Sequence, residues 1–259
     1  MTSDLGTQVI TLARRSIVRT LRQPATAIPP LIFPLVLLAV NTSGLDAATR
    51  IPGFPTDSYL DFALAFAFMQ GAMFSTMNAG TELARDIQTG FLNRLALTPM
   101  RGAALIAGHL GGVMVLGLIQ AAAYLVVGLV AGASIKAGVL GALVIFALFF
   151  LIVLGFGAVG VFMALRTGSG EAVQGLFPLL FVLLFLSSMS MPRNLIEIGW
   201  FRTVATINPV SYLVEGIRSV IIAGWDGEAL ALAFAVALAV VVVGLAGASV
   251  ALRTRLVRT

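Results

Sequence analysis

One histidine, one lysine, no cysteine and eleven acidic residues are all that this 259-residue chain offers to covalent or metal chemistry. Without cysteine, disulfides, thiolate metal sites and cysteine nucleophiles are excluded together, and redox compartment cannot be read from the chain. His109 has no second histidine and no nearby acid to partner it, so a histidine metal site or a Ser-His-Asp triad is a poor fit. It reads as a lone polar residue near the end of its helix. HExxH and paired intramembrane acids are missing too, which disfavours an intramembrane enzyme. Lys136 lies in SIKAG and no GxxxxGK[ST] is present, so the chain cannot supply a P-loop lysine. The chemistry that remains is non-covalent: guanidinium groups, apolar ridges and aromatic faces at helical spacing.

The longest charged and polar interruption in the first two-thirds of the chain is 85–101, RDIQTGFLNRLALTPMR. Ile87, Phe91, Leu92 and Leu95 fall on one stripe of a helical wheel, with Asp86, Gln88, Asn93 and Arg94 elsewhere. Gly90 weakens this helix, and Thr98-Pro99 ends it because the residue before proline is pushed out of the helical region. A short helix with an apolar ridge and both signs of charge suits a groove on another protein; a plain interfacial connector fits the same pattern. Ahead of it, residues 1–25 form a second amphipathic element. Arg15, Arg19 and Arg22 share one face, and Leu5, Val9, Ile10, Leu12, Ala13 and Ile17 the other. That favours lying in the membrane interface, with packing on a soluble partner as the alternative. More than twenty residues lead up to the first apolar stretch, and its prolines make a poor signal-peptide core.

These segments are positioned by membrane helices. The chain is 59% hydrophobic and only 10% charged, more apolar surface than a soluble domain can hide. The formal charge of +5 sits in short arginine clusters beside apolar runs, which argues for membrane-surface anchors and against nucleic acid. Six stretches approach the roughly 20 residues needed to cross a bilayer: 27–45, 59–83, 103–134, 137–165, 172–191 and 229–252. Pro29, Pro30 and Pro34 should kink the first. With both termini inside, eleven arginines fall in inner segments, against five basic residues outside. The expectation is therefore a multi-pass protein of the cytoplasmic membrane with both termini cytoplasmic.

On the outer side, 192–228 is too long for a turn and too apolar for a solvated loop. Asn208-Pro209 supplies an N-cap and a first-turn proline, and Gly224 a stop. Between them Val210, Leu213, Val214, Ile217, Val220 and Ile221 make a stripe, with Glu215 and Arg218 three apart on the surface. This reads as a re-entrant hairpin, with Trp200, Tyr212 and Trp225 at the interface. Within the spans no Asp, Glu, Lys or Arg lies near a midpoint, which argues against an ion-coupled carrier or a polar channel. Gln70, Met73, Phe74 and Met77, with Asn78 beside them, line one face of span two; Phe177, Phe181, Phe185 and Ser188 line one face of span five. Such soft surfaces can hold a lipophilic substrate or simply pack helices. The GxxxG matches Gly108 to Gly112 and Gly128 to Gly132 fit intramolecular packing or dimerisation.

The whole pattern resembles the membrane subunit of a type-2 ABC transporter. The resemblance rests on the basic leader, on ARDIQTGFLNRLALTPMRGAALIAGHL from Ala84 to Leu110, and on MPRNLIEIGWFRTVATINPVSYLVEGIR from Met191 to Arg218. It is strongest to daunorubicin-resistance-type drug and lipid permeases, whose first cytoplasmic loop carries a D-x-x-x-G-F-x-x-R-hydrophobic run followed by proline and arginine. Here those positions are Asp86, Gly90, Phe91, Arg94, Leu95, Pro99 and Arg101. The resemblance implies one all-α transmembrane domain over 1–259: six spans, an interface helix, a cytoplasmic coupling helix between spans two and three, and an outer re-entrant hairpin between spans five and six. It implies no cofactor in this chain, ATP and Mg on a separate ATP-binding subunit, and a second permease copy or a related permease. The implied function is ATP-driven export of a drug, lipid or glycoconjugate through a cavity lined by spans two and five. An ATP-independent secondary carrier or channel is the alternative.

Overall fold

The computed structural model describes residues 5–96 and 102–257, and among them every regular element is helical. Five helices are long and apolar enough to cross a membrane: α2 (Pro24–Leu45), α3 (Tyr59–Gln88), α5 (Gly102–Val130), α6 (Gly138–Thr167) and α11 (Gly227–Val257). Around them lie α1 (Leu5–Leu21), α4 (Phe91–Ala96), α7 (Gly170–Gln174), α8 (Leu176–Phe185), α9 (Gly199–Ile207) and α10 (Pro209–Ile222). The expected span at 172–191 is broken at Gly175 into α7 and α8. Together these form an apolar helical stretch of Gly170–Phe185, short of a full bilayer crossing.

Helix α3 is the axis. Its apolar window is 89% buried inside the protein, against 17% for α2 and 22% for α11, whose outer faces are left to lipid or a partner. Small residues permit this central position. Ala65, Ala67, Ala72 and Ala79 are buried along α3, and Gly160 of α6 lies so close that a Cβ there would sit on the Thr76 carbonyl. Large side chains fill the remaining space, with Phe68 edge-on to both Tyr124 and Phe149 at 5.5 and 5.1 Å.

Prolines 29, 30 and 34 lie inside one continuous α2. Pro34 has no N–H to donate to the Pro30 carbonyl four residues back. The Tyr124 hydroxyl of α5 supplies that donor, joined by Gln120 Nε2 at 3.4 Å. The helix survives because its neighbour completes it.

At the end of the bundle away from α1, Asp61 accepts from the Ser134 backbone N–H and hydroxyl at 3.0 and 3.1 Å, fastening the α5–α6 turn to α3. The hairpin closes the same end. Asn208 caps α10 as expected, its side chain accepting from the Val210 N–H at 2.9 Å, and Gly224 follows the helix at φ +92°. The six stripe residues of α10 are all buried. The expected Glu215 and Arg218 surface pair does not form. Glu215 turns to Arg193 instead, whose Nε donates to it at 2.8 Å. Burial works against the Arg193 cation, but its bonds to this carboxylate hold its pKa above the ordinary arginine value. Arg218 points inward. It donates to the carbonyls of Phe62, Ser188 and Met189 at 3.1, 3.0 and 2.9 Å, with its guanidinium 3.4 Å above the Phe62 ring. One side chain thereby joins α3, the segment that follows α8, and α10, because a planar fork satisfies several carbonyls at once.

Candidate functional site

The charged end of the bundle is built on glycine. Gly108, Gly111 and Gly112 of α5 meet Leu12, Ala13 and Ser16 of α1, and a Cβ at any of them would collide with those residues. The Ser16 hydroxyl uses the approach twice, donating to the His109 carbonyl at 3.1 Å and accepting from the Gly112 N–H at 3.2 Å. The GxxxG at Gly108 to Gly112 thus serves packing within one chain, and Gly128 likewise fits against Leu64 of α3.

Docked this way, α1 engages both of its faces within the chain, Leu12 and Ala13 against α5 and two of its arginines against α3. Arg15 and Arg19 turn toward the last turns of α3, while Ile10 and Leu21 stand exposed. Asp86, only 5% exposed, accepts from Arg15 Nη1 and Nη2 at 2.9 and 3.0 Å and from Arg19 Nη1 at 2.9 Å. Glu82 lies 3.5 Å from Arg19, and His109 Nε2 is 3.4 Å from the same Asp86 carboxylate. His109 therefore does have an acidic neighbour, which a sequence distance of 23 residues concealed. Arg22 remains exposed beyond the cluster.

The polar run divides into three parts. Asp86 and Ile87 belong to α3 and are buried; Gly90 makes the turn at φ +70°; α4 then begins at Phe91. The Arg15 guanidinium lies 3.9 Å above the Phe91 ring, so one arginine holds both the end of α3 and the start of α4. Ile87 and Leu92 of the apolar ridge pack into the chain's own core. Arg85, Gln88 and Arg94 are exposed there instead. Gln88 Nε2 also reaches the Gly168 carbonyl at 3.4 Å. The Leu95 side chain, Pro99 and Arg101 lie outside the described residues. Among the described residues no nucleophile and base pair occurs here. The cluster is a joint in which α1, α3, α4 and α5 are held by charge-assisted bonds.

The expected cavity faces also divide. Gln70, Met73 and Ser188 are fully buried, and the Ser188 carbonyl is taken by Arg218. Phe74, Met77, Asn78, Phe177 and Phe181 are half-buried, and Phe185 is exposed. A track of rings runs Phe33, Phe74, Phe177, Phe181, Phe185 with successive centroids 6.0, 5.4, 4.8 and 5.8 Å apart. Phe33 of α2 was not anticipated. Prolines dominate its stretch, and only the folded chain places it opposite Phe74.

Four long apolar helices around a buried fifth, with a basic helix clamped to one end, have the character of a polytopic membrane protein. The chain belongs to the ABC-2 type transporter family, whose model matches residues 7–222. It is 30% identical over 214 residues to the daunorubicin resistance ABC transporter permease protein DrrB1 of Streptomyces coeruleorubidus, covering 78% of this chain and 72% of that one. Two ycf38 proteins, named provisionally as transport permeases, are also similar. That of Porphyra purpurea is 28% identical over 221 residues and that of Cyanophora paradoxa 25% over 214, each covering 82% of this chain and 73% of the relative.

Proposed function

We propose that this chain is the permease of an ATP-driven exporter, with a partner subunit binding and hydrolysing ATP with Mg and a second permease copy or relative completing the pathway. The observation that carries this reading is the Arg15 bridge, which makes the basic helix α1, the end of the central span and the short helix α4 one mechanical unit. Movement of an ATPase against α4 would then pull on α3 directly. In this reading both termini are cytoplasmic, α7 and α8 continue through 186–191 as a sixth span, and the hairpin closes the outer mouth. The ring track from Phe33 to Phe185 favours a lipophilic or amphipathic cargo such as a drug, lipid or glycoconjugate, since aromatic faces accept apolar surface without demanding polar partners. The drug-resistance permease among its relatives supports the same cargo class.

The test is Phe91→Ala combined with Arg94→Glu in the assembled transporter. Hydrolysis should persist while ATP-dependent export from liposomes falls at least tenfold. Normal export with a normally assembled ATPase would remove α4 from the coupling role.

A further inference from the structure

A cavity of about 150 Å³ opens between the end of α1, the start of α2 and the last turns of α3, with Val113 and Leu116 of α5 as its apolar wall. Asn78, Glu82 and Arg85 line it from one face of α3, at i, i+4 and i+7. Two of these side chains hold buried atoms with unused hydrogen-bonding capacity: Asn78 Nδ2 and Glu82 Oε1 have no hydrogen-bond partner among the described residues. Arg19 forms only a long ion pair with Glu82 Oε1, at 3.5 Å, and directs its closer contact, at 2.9 Å, to Asp86, while the Ser16 hydroxyl near the same carboxyl is engaged with α5.

A buried carboxylate oxygen without a donor and a buried amide without an acceptor are each costly, and here they sit side by side. Their complement is a group that carries a cationic N–H donor and an anionic oxygen together. The Arg85 guanidinium at the cavity's edge strengthens the demand for the anion. The location narrows the source, because the cavity lies at the charged end of an apolar helix long enough to cross a membrane. We propose that this cavity binds the zwitterionic headgroup of an aminophospholipid, its ammonium donating to Glu82 and its phosphate accepting from Asn78 Nδ2 and Arg85. Quaternary ammonium lipids have no N–H to give, and anionic glycerol lipids bring a phosphate with no cation for Glu82. The inference depends on α3 being a span but not on ATP coupling or transport direction, so a binding measurement tests it independently.

The experiment uses the full chain in nanodiscs containing phosphatidylethanolamine, phosphatidylcholine and phosphatidylglycerol in equal amounts, with retained lipid read by native mass spectrometry. Phosphatidylethanolamine should be retained at least about tenfold over each of the others, the worth of one charge-assisted hydrogen bond. Glu82→Gln should bring the ethanolamine-to-choline ratio close to one. Asn78→Ala should weaken both of those lipids while leaving their ratio intact, which keeps the proposal testable if the first variant folds poorly. Soluble phosphoethanolamine should displace the lipid weakly, identifying the headgroup as the recognised part; displacement at equal concentration would instead assign the site to a free metabolite and overturn the lipid source. Equal retention of ethanolamine and choline lipids, a preference for phosphatidylglycerol, or an ethanolamine preference that survives Glu82→Gln would each overturn the proposal.

Discussion

Asp86 accepts three charge-assisted bonds from two arginines while almost fully shielded from water, so its loss would strand more than one group. Asp86→Asn removes the charge but keeps an acceptor, and should lower stability by about 1–3 kcal/mol. The lower end is favoured because Arg15 is still 37% exposed and can recover solvent. Thermal unfolding in detergent measures this, and an unchanged midpoint would reduce the cluster to decoration. Tyr124 makes a sharper case. Its hydroxyl serves the Pro30 carbonyl only because Pro34 cannot. Tyr124→Phe should cost about 1 kcal/mol, the order expected of an interhelical hydrogen bond in a membrane. In a Pro34→Ala background the helix supplies its own donor, so the same substitution should cost less than half as much. A double-mutant cycle with no coupling would mean the two residues act independently.

At the scale of the element, the placement of α1 depends on glycine rather than on its own amphipathicity. Gly112→Val would drive a side chain into Ser16 and Thr20 and should release α1 from α5. Ser16 is 2% exposed, so Ser16→Cys should resist maleimide in the parent and react readily once Gly112→Val is added. Equal labelling in both would place the attachment elsewhere. The behaviour of α1 also marks what the sequence can convey. Its helical wheel correctly separates arginines from aliphatic residues, but periodicity cannot say which face turns inward. That depends on Asp86, 71 residues away from Arg15. The same limit hid the acid beside His109, the real partners of Glu215 and Arg218, and the burial of Gln70 and Met73. Signals that act locally were legible. Asn208-Pro209 starts a helix wherever it occurs, Gly224 follows its end, and long apolar runs give their own positions within a few residues.

For the whole molecule, the question that topology must answer is whether 170–191 crosses the bilayer. With five crossings the termini face opposite sides, and α4 and the end of α11 could not both meet an ATPase. With six they share a side, as the excess of arginine near α1, α4 and the last helix favours. The apolar helical stretch Gly170–Phe185 falls short of the roughly 30 Å hydrocarbon core, since 16 residues rise only about 24 Å. The following 186–191 must supply the rest, and there Arg218 satisfies the Ser188 and Met189 carbonyls that a broken helix end would leave exposed in lipid. The chain contains no cysteine, so single cysteines can be introduced without altering the background. Glu171→Cys and Asn194→Cys bracket the disputed segment, and both positions are exposed. An impermeant maleimide should label Asn194→Cys and Thr203→Cys on intact cells, but Glu171→Cys and Thr11→Cys only after permeabilisation. Labelling of Glu171→Cys and Asn194→Cys from the same side would show that α7 and α8 dip into the membrane and return, leaving five crossings and separating the C-terminal end of α11 from the joint at Asp86.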